Sequence, residues 1–304
     1  MTTLKGCTFL SPIIVKIPKL GKVRFKNRKE NQNYKIQKVQ HLTVIKEANG
    51  HYYVSLCCIV EERKVDRQAK HENQVVGLDF SPSKLYVDSD GRTGLDNDYK
   101  AFKQKSESKL HLLQKRMMKK KTGSNNRNKA RIKVARLESH IANQRKDFLE
   151  KESLRLVKQY EIIGIEDLNL ISIAKFLRNA KNINDCGWNM FTNMLERKAV
   201  RWNSIVIKAD KYFPSSQICH VCGQKNEQVK NLKIREWTCP ECHTHHNRDV
   251  NAAINLANNA LSTLGSRGFQ ACGDNCHCLD YTNQTISVKQ EVSSVKTNKN
   301  GNDL

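Results

Sequence analysis

Residues 219–249 read CHVCGQKNEQVKNLKIREWTCPECHTHHNRD and run straight into VNAAINLANNAL, residues 250–261. Two Cys-x-x-Cys turns stand in this stretch, Cys219/Cys222 and Cys239/Cys242, separated by sixteen residues. Each turn aims two thiolates at one point, and two turns complete a tetrahedron, the geometry Zn²⁺ takes with Zn–S bonds of about 2.3 Å. The spacing falls in the range of four-cysteine zinc sites. Gly223 frees the backbone to turn after the first pair, and Pro240 lies inside the second. His243, His245 and His246 are alternative donors, but four cysteines already close the shell. A closed shell leaves no position for substrate, so the zinc is expected to be structural. The ribbon ends at Asn247-Arg248-Asp249, where a helix rich in Ala and Asn begins. An acidic residue there gains from the helix dipole and can cap free amides. Equally, the ribbon can be an insert that delivers Asp249 to a site built elsewhere, and this stretch alone does not choose.

The whole chain has 304 residues, enough for two or three compact units. Lys plus Arg number 53 against 30 Asp plus Glu, a formal charge of +23. Such an excess points to a polyanionic partner, nucleic acid first. The longest apolar run, Tyr52–Val60, is too short to span a bilayer. The run from Phe9 to Val15 is broken by Pro12 and followed by Lys16, unlike a signal peptide. The expectation is a cytoplasmic, nucleoid-associated protein with no membrane partner, whose eleven cysteines serve as metal ligands or free thiols rather than disulfides.

Upstream of the ribbon, residues 1–72 show short strand-like runs broken by Pro18, Gly21 and Asn49-Gly50, the last a hairpin signal. Lysines dot the region, and a partial β-barrel that binds nucleic acid is expected there. Residues 73–210 alternate strands and helices. Gln74–Phe80 is an apolar strand carrying Asp79 near its end, followed by a turn and a second strand at Leu85–Val87. Residues 100–160 hold 19 Lys plus Arg against 5 Asp plus Glu, with Val134, Leu137, Ile141 and Phe148 at helical spacing. Thr122–Asn126 interrupts that pattern, which makes a helical hairpin. The basic residues Lys115, Arg116, Lys119, Lys120, Lys121, Arg127, Lys129 and Arg131 are expected to contact phosphates. Glu161–Leu168 is a second apolar strand with a carboxylate at its end, either Glu166 or Asp167. A helix over Trp188–Trp202 and a strand over Ser204–Ala209 follow. The ribbon is assigned 211–248, a last helix 249–264, and residues 265–304 a flexible tail on their Gly, Ser and Asn content. Cys272, Cys276, His277 and Cys278 lie in that tail with no assigned role.

Three acidic residues thus occupy comparable places: Asp79 and Glu166 at strand ends, Asp249 at a helix start. Brought together, like charges repel and raise one another's pKa, and divalent cations remove that penalty. A pair of Mg²⁺ ions about 4 Å apart serves phosphodiester cleavage by aligning water and leaving oxygen. Strand, strand, helix carrying Asp, Glu, Asp is the plan of RNase H-like nucleases. The expected fold class is α/β: an RNase H-like (RuvC) domain with a basic helical hairpin and an inserted zinc ribbon, preceded by the partial barrel.

The sequence resembles the TnpB/OrfB family of insertion-sequence proteins. Gly77-Leu78-Asp79, Gly164-Ile165-Glu166-Asp167-Leu168-Asn169 and Asn247-Arg248-Asp249-Val250-Asn251-Ala252-Ala253 match its three RuvC motifs, in order. Phe213-Pro214-Ser215-Ser216 and Arg235–Cys242 match its zinc region. The resemblance implies that Asp79, Glu166 and Asp249 are catalytic and bind Mg²⁺, and that DNA and a guide RNA are partners. It also implies an RNA-guided DNA endonuclease linked to transposition. The third motif departs from the family's usual Asp-Arg-Asp by placing Asn247 first. The family pattern also implies about a hundred residues ahead of this start, with the first barrel strands and a helical recognition lobe. A binding module that holds DNA or RNA without cutting is the competing function, and a ribosome-associated zinc ribbon a third that leaves the acidic triad unused.

Overall fold

The computed structural model describes residues 2–4, 8–11, 14–17, 21–24, 36–60, 74–94, 97–170, 187–266 and 286–292. Cys272, Cys276, His277 and Cys278 lie outside them. The chain divides into two compact units, one of Met1–Lys64, Lys109–His140 and Cys272–Leu304, the other of Val65–Ser108 and Ile141–Ala271.

The first unit carries two antiparallel sheets. Strands β2 (Thr8–Ser11), β3 (Ile14–Ile17) and β4 (Gly21–Arg24) form one. The other has the order β1 (Thr2–Leu4), β5 (Ile36–Lys46), β6 (Tyr52–Val60) and β13 (Ile286–Val292). The barrel expected over 1–72 is therefore two sheets among the described residues. Strand β13 departs from the flexible tail expected over 265–304. Its ISVKQEV alternates well enough to pair along β6, a partner too remote in sequence to anticipate. The β5–β6 turn is the Asn49-Gly50 hairpin, and it docks on the helical hairpin of α1 (Asn97–Met118) and α2 (Asn125–Gln159). Asn49 Nδ2 donates to Ser139 Oγ at 3.1 Å, and Arg136 Nε donates to the Asn49 carbonyl at 3.2 Å. Hence the hairpin tip, 109–140, belongs with the β unit and not wholly with 73–210. Composition marks the basic run but not what its apolar edge packs against.

The second unit is built on a four-stranded sheet in the order β10 (Ile205–Ala209), β9 (Ile162–Glu166), β7 (Val75–Ser81), β8 (Leu85–Asp88). Strands β7, β9 and β10 are parallel, and β8 returns antiparallel to β7. Alternation sorts the two faces. Val76, Leu78, Ile163 and Ile165 point into one core with Leu149, Leu156 and Val157 of α2 and Trp188, Phe191 and Leu195 of α3 (Trp188–Trp202). Gly77 and Gly164 are register partners on the other face. Helix α4 (Arg248–Ser266) lies against them on Ala252, Ala253, Leu256, Ala257 and Ala260, all buried.

The approach there is backbone on backbone. A Cβ at Gly77 would stand 1.8 Å from the Ala253 carbonyl oxygen, and one at Gly164 2.4 Å from that of Leu256. Only glycine permits such contact. Gly77→Ala is therefore expected to destabilise the unit by about 3 kcal/mol and lower its Tm by roughly 10 °C. Gly265→Ala, with nothing near its would-be Cβ, is the control and should leave the melt unchanged. Equal melting temperatures for the two variants would mean that α4 shifts freely on the sheet.

Candidate functional site

The glycine pair fixes where the carboxylates stand. Asp79 and Glu166 each follow their glycine by two residues, so they share its face of the sheet. They are the next positions after the last registered pair, Leu78 and Ile165, on neighbouring parallel strands. Asp249 sits one helical turn before Ala253, on the helix that covers that face. Burial pushes the Asp79 carboxyl well above the usual carboxylate range, and the charges of Glu166 and Asp249 push it further. Burial also raises Glu166, opposed by the Ser215 hydroxyl and the Arg248 guanidinium. Ser215 Oγ donates to Glu166 Oε1 at 2.7 Å. Asp167, the other carboxylate at this strand end, is exposed.

Two arginines face the acids. Arg235, on the ribbon, reaches Asp249 Oδ1 with Nη1 at 3.3 Å. Arg248 is buried, and its Nη1 donates to the Asn231 carbonyl at 3.3 Å. Burial and the charge of Arg235 lower its pKa, while Asp249, Asp79 and Glu166 hold it up. Sequence reasoning named neither arginine as a site residue, nor Ser215, although all three lie inside the quoted motifs. The helix cap is Asn247, not Asp249. Asn247 Oδ1 accepts from the amides of Asp249 at 3.1 Å and Val250 at 3.2 Å. Asn and Asp cap equally well, so Asn247 fills the place of the usual first Asp without strain. Asp249 is left free of the capping task, while its place in the first turn still faces the helix dipole.

Three carboxylates would offer a divalent cation the hard oxygen ligands that Mg²⁺ prefers. Their mutual repulsion is what a divalent cation would relieve, so the residues fit such a group.

The ribbon that carries Asp249 in place is small. Val229, Trp237, Cys219 and Cys239 form its buried cluster, and β11 (Glu236–Thr238) pairs with β12 (His245–Asn247). The four cysteine sulfurs lie within 4.8 Å of one another. Cys219 and Cys242 Sγ are 3.6 Å apart, as are Cys222 and Cys239. The edge of a tetrahedron with 2.3 Å bonds is about 3.8 Å, so this cluster is compatible with zinc. No disulfide joins these cysteines. The two knuckles are equivalent: Gly223 N donates to the Cys219 carbonyl and His243 N to that of Cys239, both residues at positive φ. His243 and His245 are exposed, whereas His246 is buried with Nε2 3.1 Å from Cys219 Sγ. That placement makes His246 a support for a ligand rather than a substitute for one.

Polar residues of α4 hold the ribbon's entry. Asn251 Nδ2 and Asn255 Nδ2 each donate to the Ile218 carbonyl at 2.7 Å, and Asn255 Nδ2 also to the Ser215 carbonyl at 2.8 Å. Of the helix's four asparagines, Asn251 and Asn255 stand four apart on the face that carries Ala252 and Leu256, and that spacing was the signal available for this contact.

In the basic hairpin, Lys115, Arg116, Lys119, Lys120, Lys121, Lys129 and Arg131 are exposed. Arg127 differs: its Nη1 donates to the Lys120 carbonyl at 2.9 Å, closing the turn, so it is occupied within the hairpin. No helix among the described residues is long and apolar enough to cross a membrane.

Two family models match the chain: "Probable transposase" over residues 55–176 and "Cas12f1-like, TNB domain" over 188–256. The "Putative RNA-guided DNA endonuclease" of Streptomyces pristinaespiralis is 34% identical over 82% of this chain and 59% of its own length. The "Putative RNA-guided DNA endonuclease InsQ" of Escherichia coli K12 is 30% identical over 85% of this chain and 63% of its own. The chain thus spans about three fifths of these relatives. A solved complex of Cas12f1 with its single-guide RNA and target DNA covers 83% of this chain and 68% of its own, at 15% identity and a TM-score of 0.44.

Proposed function

We propose that the chain is a member of the TnpB/OrfB family of insertion-sequence proteins, as its matches to the family models and relatives support, and that it is a transposon-encoded, metal-dependent, RNA-guided DNA endonuclease with a RuvC-type site of Asp79, Glu166 and Asp249. The observation that carries this reading is the gathering of those acids on one sheet face, where Asp79 bears the charge of the other two. Mg²⁺ held by the three carboxylates would align an attacking water and steady the leaving oxygen of a phosphodiester. Ser215 orients Glu166, and Arg248 and Arg235 balance the acids' charge. The zinc ribbon holds Asp249 at the sheet through β12 and the Asn247 cap. The partners are target DNA and a guide RNA, in the cytoplasm at the nucleoid.

Phosphate contact falls to the exposed hairpin lysines and arginines. Reversing Lys119, Lys120 and Lys121 to Glu should weaken DNA binding and lower the slope of log K against log salt by about 3, close to one unit per phosphate lost. An unchanged slope would assign these lysines to a solvated surface.

The direct test is purification of the chain co-expressed with the DNA flanking its own gene, sequencing of any RNA retained, and incubation with matching DNA and Mg²⁺. Cleavage near the matched site supports the reading. Tight binding without cutting would replace it with that of a nucleic-acid-binding module.

A further inference from the structure

The segment between β10 and the ribbon leaves the site and returns to it. Ala209, the last residue of β10, is the register partner of Glu166. Ser215 comes back to donate its hydroxyl to that same glutamate. Residues 210–214 form the excursion between these anchors, and Tyr212 stands at its middle. Three residues span about 10 Å even when fully extended, which bounds the backbone distance from Tyr212 to either anchor. The excursion is tightly turned: Tyr212 N donates to Asp210 Oδ1 and Phe213 N to the Asp210 carbonyl, each at 2.9 Å. Ser215 N donates to the Phe213 carbonyl and Gln217 N to that of Pro214.

On this short, closed turn Tyr212 is 83% exposed, more than any other large hydrophobic residue among those described. The Lys211 ammonium lies over one face of the ring, 5.7 Å from its centroid, so the opposite face is the one available for stacking. An aromatic ring in water gains nothing from folding, and this one supports no core. A flat face flanked by a cation, a short step from three phosphodiester-directed acids, has the chemistry of a base-stacking platform.

We propose that Tyr212 stacks on an unpaired base of the DNA strand entering the carboxylate site, with Lys211 beside the adjoining phosphate. This rests on the nuclease reading for its substrate, but it makes a separate claim about which form of DNA is held and by what. Stacking is sequence-tolerant, because every base offers a face, so the platform holds single-stranded DNA without choosing its sequence. A base within a duplex is already stacked on both sides, so the ring discriminates against intact duplex at the site.

The test uses the full zinc-loaded chain with Ca²⁺ in place of Mg²⁺, and a fluorescent oligothymidylate carrying one 5-iododeoxyuridine. Tyr212→Ala should weaken binding about tenfold, the usual effect of one base–aromatic stack. Tyr212→Phe should bind within about twofold of the unchanged chain. The salt slope should be the same for all three proteins, since stacking releases no counterions. Irradiation should crosslink the iodinated base to Tyr212. Unchanged affinity of Tyr212→Ala, or crosslinks that map elsewhere, would overturn the proposal. So would a Tyr212 effect confined to an oligouridylate RNA, which would move the platform to the guide. A chain that cuts DNA while Tyr212→Ala binds as tightly loses this inference and keeps the nuclease reading. A chain that never cuts but shows the Tyr212-dependent crosslink does the reverse.

Discussion

Alanine at Asp79, Glu166 or Asp249 is expected to abolish Mg²⁺-dependent DNA cleavage, by about 10³-fold or more, while binding stays equal or tightens. On the proposed reading each carboxylate removed is a metal ligand that the transition state requires, and the loss of charge stabilisation would amount to several kcal/mol. The three act as a unit, so a double variant should be little worse than a single one. Binding survives because phosphate contact comes from the basic surface, and removing an anion near DNA lowers repulsion. Asp167→Ala serves as the neighbouring control, its side chain being exposed. Single-turnover cleavage and anisotropy on the same preparations check both halves. Normal cutting by Asp249→Ala would remove that residue from the site and leave it the structural roles of pairing with Arg235 and facing the helix dipole.

The second large effect concerns the ribbon. One Zn²⁺ per chain is expected, held by Cys219, Cys222, Cys239 and Cys242. The buried cluster there is two cysteines with Val229 and Trp237, too little apolar surface to hold a fold of that length. In zinc-finger peptides the metal supplies roughly 10 kcal/mol or more of folding free energy. Cys239→Ser should therefore lose the metal and open residues 219–247 to protease. Since β12 runs directly into α4, it should also loosen the cap at Asn247 and reduce cleavage as strongly as loss of Asp249. Elemental analysis and limited proteolysis decide it. A chain purified without zinc whose ribbon still resists protease would refute the metal's role.

Much of this was legible before any coordinates. The helix at Trp188–Trp202, the interruption at 122–126 and the two cysteine knuckles follow from periodicity, turn residues and ligand spacing, all of them local signals. What stayed hidden depends on contacts between distant segments. Ser215 finds Glu166 across 49 positions, and Asn251 finds Ile218 across 33. Glycine in Gly77 and Gly164 reads as a weak strand until α4 is placed on it, whereupon both positions become obligatory. Arg127 shows the same limit: its charge is visible in the sequence, but the hydrogen bond from its guanidinium to the Lys120 carbonyl is not.

The glycine lane also orders events during synthesis. Strands β7 and β9 emerge from the ribosome long before residue 249, so Asp79 and Glu166 are made while their face of the sheet is bare. The third acid arrives only with the helix that covers it, and that helix docks only once Ala253 and Leu256 are also clear. At ordinary elongation rates of about 5–20 residues per second, the chain spends several seconds with an incomplete acid set. On the nuclease reading, a nascent chain that has not yet made and docked this helix lacks its third acid and does not cut.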